Sequence, residues 1–267
     1  MISVSELPEG VSACVAHATA AWMPLRSGGP CDVWLVAHGP GSAAAADSWC
    51  RDQGLKRTWL GAGTRTAIRD RGVSGAVLTL GRAYQSVETC DDGWRCGAGL
   101  PMAVLASRVN AHSVFRNLLF MPGTLGASVM HDVGPGSGWS RLVAGVRVLS
   151  RGREVELSLE EARRRRLTVL SVILEDQSVE RAVEPVAPAG WWTVDGGSVE
   201  EELRRAGLAG TRLRAAALPS SEPNRLVNLG GATARDLEML QGSIEKRLHE
   251  LRGVTLEPRV RWLGRKG

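Results

Sequence analysis

The chain has 267 residues, of which 43% are hydrophobic and 23% charged, and its net charge is +5 at neutral pH. This length and composition predict a globular protein with one large domain or two to three small ones, and exclude a disordered chain. Arginines are spread over most of the sequence, and aromatic residues make up only 4%. We therefore expect a surface that attracts phosphates or an anionic nucleotide ligand, not a nucleic-acid platform. A plain arginine-rich surface without function is the alternative.

Cysteine and histidine spacings give no sign of a metal or disulfide framework. The five cysteines form no CxxC pair and their odd number leaves at least one unpaired, while the five histidines show no metal-ligand spacing. The N-terminus lacks a basic region followed by an apolar segment, and no apolar run approaches the length of a membrane span. The sequence therefore predicts a cytoplasmic protein without bound metal.

The first eighty residues alternate patterns typical of strands and helices. An apolar strand is predicted over residues 32–36, and an alanine-rich helix follows from Gly41. Further strands are predicted at residues 58–60 and 75–81. This alternation predicts a small α/β unit.

The middle of the chain is predicted to continue with strands and one helix. Residues 93–99 favour a strand and residues 100–109 a helix, while residues 142–149 and 167–174 resemble paired strands joined by a charged segment. The polar segment 177–189 carries Pro185 and Pro188. It is the best candidate for a domain boundary.

The last forty residues predict a capped helix and an extended tail. Thr233 and Asp236 have the spacing of a capping box, and Gly253 supplies the helix end. Apolar residues recur between them at spacings of three and four, which predicts one buried face: Leu237, Leu240, Ile244, Leu248 and Leu251. The alternating segment 254–263 then predicts a half-buried strand in which Pro258 marks an edge or a bend. Glu257 is either a solvated strand residue or a placed acid.

Two glycine-rich segments are candidates for binding a diphosphate through backbone N–H groups. One follows an apolar strand: Gly61, Ala62, Gly63 and Thr64. The other lies sixty residues later: Pro122, Gly123, Thr124 and Gly126. Neither has the GxGxxG or P-loop pattern, so each is either a phosphate cradle or a tight turn.

Seven blocks of sequence occur in a shared order that identifies a family resemblance. They are residues 26–32, 60–64, 97–101, 121–127, 212–216, 224–236 and 256–261. Block by block, the chain resembles the UDP-N-acetylenolpyruvoylglucosamine reductases, the MurB-type flavoenzymes of peptidoglycan synthesis. The resemblance covers nearly the whole chain, and its C-terminal blocks are the most specific.

The resemblance implies an α+β protein with an FAD-binding fold of the vanillyl-alcohol-oxidase type. Two α/β subdomains, residues 1–78 and 79–180, would hold FAD. The diphosphate would lie over the Gly61 to Thr64 turn and the loop that begins at Pro122. A small α/β substrate domain, residues 181–252, would bind a UDP-sugar, and the tail 253–267 would carry Glu257.

The resemblance also implies a reaction. In the family, NADPH reduces FAD, and the hydride passes to the enolpyruvyl group of UDP-N-acetylenolpyruvoylglucosamine, which becomes UDP-N-acetylmuramate. A serine protonates the adjacent carbon, while a glutamate and an arginine polarise the substrate carboxylate. By motif position Ser198 matches the serine and Glu257 matches the glutamate.

The sequence departs from the family pattern at four places. One is in the substrate domain, where Glu222 and Pro223 replace the family histidine before Asn224. Thr64 and Arg65 replace the Ser-Asn that ends the family's glycine loop, and the Tyr-Arg-x-Ser segment is missing. An arginine run at 163–166 stands there, either as a solvated connection or as a substitute. The Phe-Lys-Asn-Pro segment after the serine is also missing. Because Glu201 follows three residues after Ser198, that serine is either an N-cap or the proton donor.

Three hypotheses follow. The first is an active FAD-dependent reductase of the cell-wall precursor, which Glu257 and the glycine turns favour. The second is a degenerate homologue without catalysis that serves as a flavin-binding, nucleotide-binding or scaffold protein, which the missing segments favour. The third is a flavin oxidoreductase that acts on a related UDP-sugar or secondary metabolite.

Overall fold

A computed structural model of the protein describes residues 6–91, 93–109, 118, 121–131, 139–175 and 190–266. The described strands are β1 (Val11–His17), β2 (Cys31–Ala37), β3 (Arg57–Trp59), β4 (Thr66–Ile68), β5 (Val73–Leu80), β6 (Val87–Cys90), β7 (Gly93–Gly97), β8 (Val143–Ser150), β9 (Arg153–Leu157), β10 (Thr168–Glu175), β11 (Trp192–Thr193), β12 (Arg212–Leu213), β13 (Ala216–Ala217), β14 (Val227–Asn228), β15 (Glu257–Pro258) and β16 (Arg261–Leu263). The described α-helices are α1 (Ser42–Asp52), α2 (Met102–Arg108), α3 (Leu125–Met130), α4 (Leu159–Arg164), α5 (Val199–Arg205) and α6 (Ala234–Arg252). Short 3-10 helices span Arg82–Gln85 and Trp139–Arg141.

The chain forms two compact units, and each is assembled from separate stretches of sequence. The first comprises Met1–Ala16, Asp32–Ala62 and Gly75–Pro188. The second comprises His17–Cys31, Gly63–Ser74 and Ala189–Gly267. The four-part division expected from the resemblance stays a prediction, and the expected boundary at 177–189 lies outside the described residues.

The first sheet of the first unit has the strand order β1-β2-β5-β3, with β3 and β5 parallel. Helix α1 packs on it because alanine, tryptophan and cysteine side chains lie on one face of the helix. Ala46, Trp49 and Cys50 are buried against Val33 and Leu35 of β2. The strands and the helix predicted for residues 32–81 are confirmed.

The second sheet of this unit has the order β6-β7-β10-β8-β9, with every neighbouring pair antiparallel. The predicted pairing of 142–149 with 167–174 is confirmed as β8 with β10. The charged segment between them is more than a connection, because it contains β9 and α4. Strand β9 appears charged in the sequence because of Arg153, Glu154 and Glu156. Its apolar residues Val155 and Leu157 pack against the core.

The core of the second unit is organised by α6. Thr233 and Asp236 form the predicted capping box, and Gly253 ends the helix at φ 68°. The Asp70 carboxylate also accepts hydrogen bonds from the Ala234 and Arg235 N–H groups, both at 2.9 Å. It therefore satisfies two donors that a helix N-terminus otherwise leaves open.

Four residues of the predicted apolar face of α6 are buried: Leu237, Leu240, Ile244 and Leu248. The prediction is wrong for Leu251, whose exposed fraction is 59%. Leu251 lies in the last turn, beyond the segment of α6 that the core covers.

The tail does not form the single strand predicted over 254–263. It forms β15, which pairs antiparallel with β11, and β16, which pairs in parallel with β4. Pro258 lies at the end of β15, and the buried Val260 separates the two short strands. The alternation was real, but the bend that Pro258 allowed sends its two halves to different sheets.

Three tryptophan N–H groups converge on two polar residues of α6 and fix the tail. Gln241 Oε1 accepts from Trp191 Nε1 at 3.1 Å and from Trp262 Nε1 at 2.8 Å. Glu245 Oε1 accepts from Trp192 Nε1 at 2.7 Å. We call these five residues the tryptophan network. It satisfies buried polar groups that would otherwise oppose folding.

Within the described residues, no helix is both long and apolar enough to span a bilayer.

The rate at which each cysteine reacts with a thiol reagent should depend on its burial. Burial, reinforced by Asp47, raises the pKa of Cys50 to about 11, and burial raises the pKa of Cys96 to about 12. Cys14 is exposed. Because the thiolate is the reacting species, we expect a thiol reagent at pH 8 to modify Cys14 quickly, and Cys50 and Cys96 only on unfolding. Peptide mass spectrometry after timed labelling reads this out. The variant Cys14→Ser should lack the fast phase, and rapid labelling of Cys96 in the folded protein would contradict the structure.

Candidate active site

The first glycine turn lies directly after β3 and presents free backbone donors. The Leu60 N–H donates to the Leu78 carbonyl of β5. Among the described residues, none accepts a hydrogen bond from the N–H groups of Gly61, Ala62, Gly63 or Thr64. Such a run of unpaired donors fits an anionic ligand.

In the first unit, Thr124 leaves little room for a side chain at Gly61. A Cβ built on Gly61 would stand 2.6 Å from Thr124 Oγ1 and 3.7 Å from Ala127 Cβ. The structure therefore brings together one residue of each predicted glycine segment. In the second unit, Gly63 adopts φ 69°, and a Cβ there would stand 3.0 Å from Met23 Cε.

In the second glycine segment, backbone conformation and packing account for two of the glycines. Gly123 has φ 121°, which favours glycine, while a Cβ on Gly126 would stand 2.8 Å from Ala98 Cβ. The Leu125 and Gly126 N–H groups donate to the Leu100 and Ala98 carbonyls, both at 2.9 Å. These two donors are used within the protein. The Thr124 hydroxyl beside Gly61 is therefore the better candidate from this segment, with Pro122 exposed at its start.

The N–H groups of Gly61 and Ala62 have no acceptor among the described residues, and a methyl group added to Gly61 would close the space beside Thr124. We expect Gly61→Ala to weaken FAD binding roughly tenfold, since the methyl group displaces either Thr124 or the ligand. The double variant Gly61→Ala/Thr124→Ala removes the clash. Fluorescence titration with FAD should therefore show partial recovery in the double variant. Equal affinities for the three proteins would remove this turn from the flavin site.

Ser198 is the N-cap of α5 in the second unit. Its Oγ accepts from the Glu201 N–H at 3.4 Å and donates to Glu200 Oε2 at 3.1 Å. The side chain is exposed. The predicted cap is confirmed, and the role of proton donor stays a prediction.

Glu257 lies at the start of β15, with its side chain exposed. It pairs with Thr193 of β11, whose hydroxyl donates to the Glu257 carbonyl at 3.5 Å. Ser198 follows five residues after Thr193 in the same unit. The strand that precedes Ser198 is β11, the pairing partner of the β15 strand that contains Glu257, and both residues are exposed.

At least one arginine of the run at 163–166 is bound to the protein backbone and is not simply solvated. Arg163 Nε donates to the Val129 carbonyl at 2.7 Å, and its Nη2 also contacts that oxygen. Arg164 pairs with Glu161, and Arg165 Nη2 donates to Ser150 Oγ at 2.9 Å. Arg163 therefore joins α4 to α3, which makes it a structural residue.

Sequence reasoning missed Asn224 as an organiser of this unit. Its Oδ1 accepts from the Trp192 N–H at 2.9 Å and its Nδ2 donates to the Trp192 carbonyl at 3.1 Å. A Cβ on Gly190 would stand 2.0 Å from Asn224 Nδ2, so glycine is required there. The neighbouring Glu222 and Pro223 differ from the family pattern, but no local sequence pattern signals the contact of Asn224 with Trp192.

The fold defines the class of protein. It superposes on the crystal structure of UDP-N-acetylenolpyruvylglucosamine reductase from Thermus caldophilus with a TM-score of 0.74, over 95% of this chain and 99% of that chain, at 20% identity. The predicted fold class, an α+β FAD-binding fold of the vanillyl-alcohol-oxidase type, is confirmed.

Sequence comparison defines the family. The model of the UDP-N-acetylenolpyruvoylglucosamine reductase C-terminal domain matches residues 107–263, and the chain belongs to this family. Proteins named UDP-N-acetylenolpyruvoylglucosamine reductase are similar over their length: that of Desulfosudis oleivorans at 28% identity over 90% of this chain and 91% of its own, and that of Myxococcus xanthus at 28% over 96% and 94%. Members are FAD-dependent oxidoreductases that use NADPH, as predicted.

Proposed function

We propose that the chain reduces the enolpyruvyl group of UDP-N-acetylenolpyruvoylglucosamine to give UDP-N-acetylmuramate for peptidoglycan synthesis, with FAD as cofactor and NADPH as reductant. The observation that carries the proposal is the family match over residues 107–263, with relatives aligned along nearly the whole chain. The Gly61 and Ala62 N–H groups, which have no acceptor among the described residues, support FAD as the ligand.

Each proposed site residue has a distinct task. Bound FAD supplies hydride chemistry, which no side chain of the chain can perform. The Gly61 and Ala62 N–H groups would hold the diphosphate, with the Thr124 hydroxyl beside Gly61. Ser198 donates its hydroxyl proton to the substrate carbon next to the one that accepts hydride.

Glu257 acts on the substrate carboxylate. Its carboxyl group would stabilise the charge that develops on the substrate during transfer. Its exposed position leaves the side chain accessible to a substrate. Arg163, one of the four arginines that could replace the family arginine, is bound to the Val129 carbonyl.

The visible spectrum of the purified protein tests the cofactor part of the proposal. We expect the bands of oxidised flavin, either as purified or after FAD is added and the excess removed, and bleaching on anaerobic addition of NADPH. Free FAD under the same conditions is the control. A colourless protein that retains no FAD would contradict the proposal.

Two replacements separate the capping role of Ser198 from proton donation. Asparagine caps a helix about as well as serine, whereas alanine does not. We expect Ser198→Ala to lower stability by about 1 kcal/mol and Ser198→Asn to leave it nearly unchanged. Both should reduce turnover by roughly 10²-fold or more, because neither side chain can replace the hydroxyl proton donor. Thermal unfolding and steady-state NADPH oxidation measure the two effects. Full turnover in Ser198→Asn would leave the residue as a cap only.

One observation favours the second hypothesis, a flavin-binding or nucleotide-binding protein without this reaction. The Ser198 hydroxyl is already engaged by Glu200 and by the Glu201 N–H. A protein of this kind would retain FAD but would not consume NADPH when the UDP-sugar is added.

A further inference from the structure

Asn224 binds the edge of β11 that faces away from β15. Its Oδ1 accepts from the Trp192 N–H at 2.9 Å, its Nδ2 donates to the Trp192 carbonyl at 3.1 Å, and its backbone carbonyl accepts from the Trp191 N–H at 2.8 Å. A single residue thus takes the place of a neighbouring strand. On the other edge of β11, Thr193 pairs with Glu257 of β15.

Pro258 explains why β11 needs a partner on this second edge. Trp192 stands opposite Pro258 in the register of β11 and β15, and proline has no N–H group to donate. The N–H and carbonyl groups of Trp192 bond to the Asn224 amide instead. Because Trp192 is buried, these two groups need protein partners, and an amide side chain offers one acceptor and one donor.

The peptide group between Trp191 and Trp192 carries this contact to β15. A trans peptide group is planar, and its N–H and C=O bonds point in opposite directions. The N–H of this group faces Asn224. Its carbonyl, that of Trp191, therefore faces the other way, where it accepts from the Arg259 N–H at 2.8 Å. The Asn224 amide thus orients a backbone contact that holds the chain next to Glu257.

The indole groups anchor the two tryptophan side chains but do not set the orientation of their peptide groups. Trp191 and Trp192 donate through Nε1 to Gln241 and Glu245 of α6. Rotation about the backbone dihedrals can still turn a peptide group while the side chain stays in place. The Asn224 amide removes this freedom through its two hydrogen bonds.

We propose that Asn224 is a positioning residue that acts through Glu257 in the reaction with the UDP-sugar. The inference rests on the proposed reductase function and on the role proposed there for Glu257. Asn224 holds β11, and β11 holds the strand on which Glu257 lies. A carboxyl group that stabilises developing charge has to stay close to the reacting atoms, so a small shift of its strand lowers the rate.

The variant Asn224→Asp tests the proposal with almost no change in shape. A carboxylate accepts from the Trp192 N–H but cannot donate to the Trp192 carbonyl, so two oxygens would face each other. We expect NADPH to bleach the bound flavin at the parent rate, whereas reoxidation by the UDP-sugar should slow roughly tenfold or more. Stopped-flow absorbance measures both half-reactions. A general loss of folded structure would slow both, whereas displacement of Glu257 slows only the second.

A double-mutant cycle with Glu257→Gln tests whether Asn224 acts through the acid. If it does, Asn224→Asp should have little further effect on reoxidation in the Glu257→Gln protein. The control is Thr211→Val, which removes the 2.6 Å hydrogen bond from the Thr211 hydroxyl to the Leu208 carbonyl of the same unit and should leave both half-reactions unchanged. Parent-like reoxidation in Asn224→Asp, or fully additive effects in the cycle, would overturn the proposal.

Amide hydrogen exchange followed by NMR gives a readout that needs no catalysis. The Arg259 amide should exchange roughly tenfold faster in Asn224→Asp than in the parent and in Thr211→Val. Asn224→Ala lacks both amide groups and should show the same change. Parent-like exchange of the Arg259 amide in both Asn224 variants would overturn the proposal. A parent protein that the UDP-sugar does not reoxidise would contradict the reductase function, and faster exchange in the variants would still support the hold of Asn224 on this strand.

Discussion

The variant Glu257→Gln is expected to lose about 10²-fold to 10³-fold in turnover, while its unfolding free energy stays within about 0.5 kcal/mol of the parent value. The carboxyl group of Glu257 is exposed on β15, and no described side chain depends on it for packing. Glutamine has nearly the same shape, but it lacks the carboxyl group that the proposed role requires.

Steady-state NADPH oxidation with the UDP-sugar measures the rate, and thermal unfolding by circular dichroism measures stability. Glu175→Gln, at the exposed end of β10, is a matched control that should change neither quantity. If Glu257→Gln retains the full rate, the residue does not take part in the reaction, and the match by motif position fails.

The variant Trp192→Ala should have the largest effect on stability. Trp192 has an exposed fraction of 1%, and its Nε1 donates to Glu245 at 2.7 Å. Removal of this side chain leaves a large cavity and an acceptor that loses a partner, so we expect a loss of about 3–5 kcal/mol. Trp192 also pairs with Pro258, next to Glu257, so the same change should disturb the strand that holds the acid.

Chemical unfolding followed by circular dichroism measures this loss. Trp22→Ala is the control, because Trp22 has an exposed fraction of 63%, and it should cost less than about 1 kcal/mol. Trp192→Phe keeps most of the apolar volume, so its stability should lie between those of the parent and Trp192→Ala. A parent-like stability of Trp192→Ala would contradict the packing of this unit.

The sequence predicted those elements whose signals are local. The helix from Ala234 to Arg252 was predicted because a capping box and a terminal glycine act within a few residues of the ends. The prediction of a single strand in the tail was wrong. The two halves of the tail pair with β11 and β4, which come from distant parts of the sequence. The sequence also did not predict that segments 17–31 and 63–74 belong to the second unit, because no local pattern records long-range packing.

The candidate site was predictable only in part. The approach of Gly61 to Thr124 agrees with the expectation that the two glycine segments act together. The cap at Ser198 followed from the spacing to Glu201. The contact between Asn224 and Trp192 depends on side-chain packing across the fold, and a single sequence gives no measure of that packing.

The reaction proposed for this chain is hydride transfer to the enolpyruvyl group of a UDP-sugar. The most direct measurement is anaerobic reduction of the FAD-loaded protein with NADPH, followed by addition of UDP-N-acetylenolpyruvoylglucosamine and mass analysis of the product. We expect the oxidised flavin spectrum to return and the UDP-sugar to gain one hydride and one proton. A reduced protein that the UDP-sugar leaves bleached, with the substrate mass unchanged, would contradict the account.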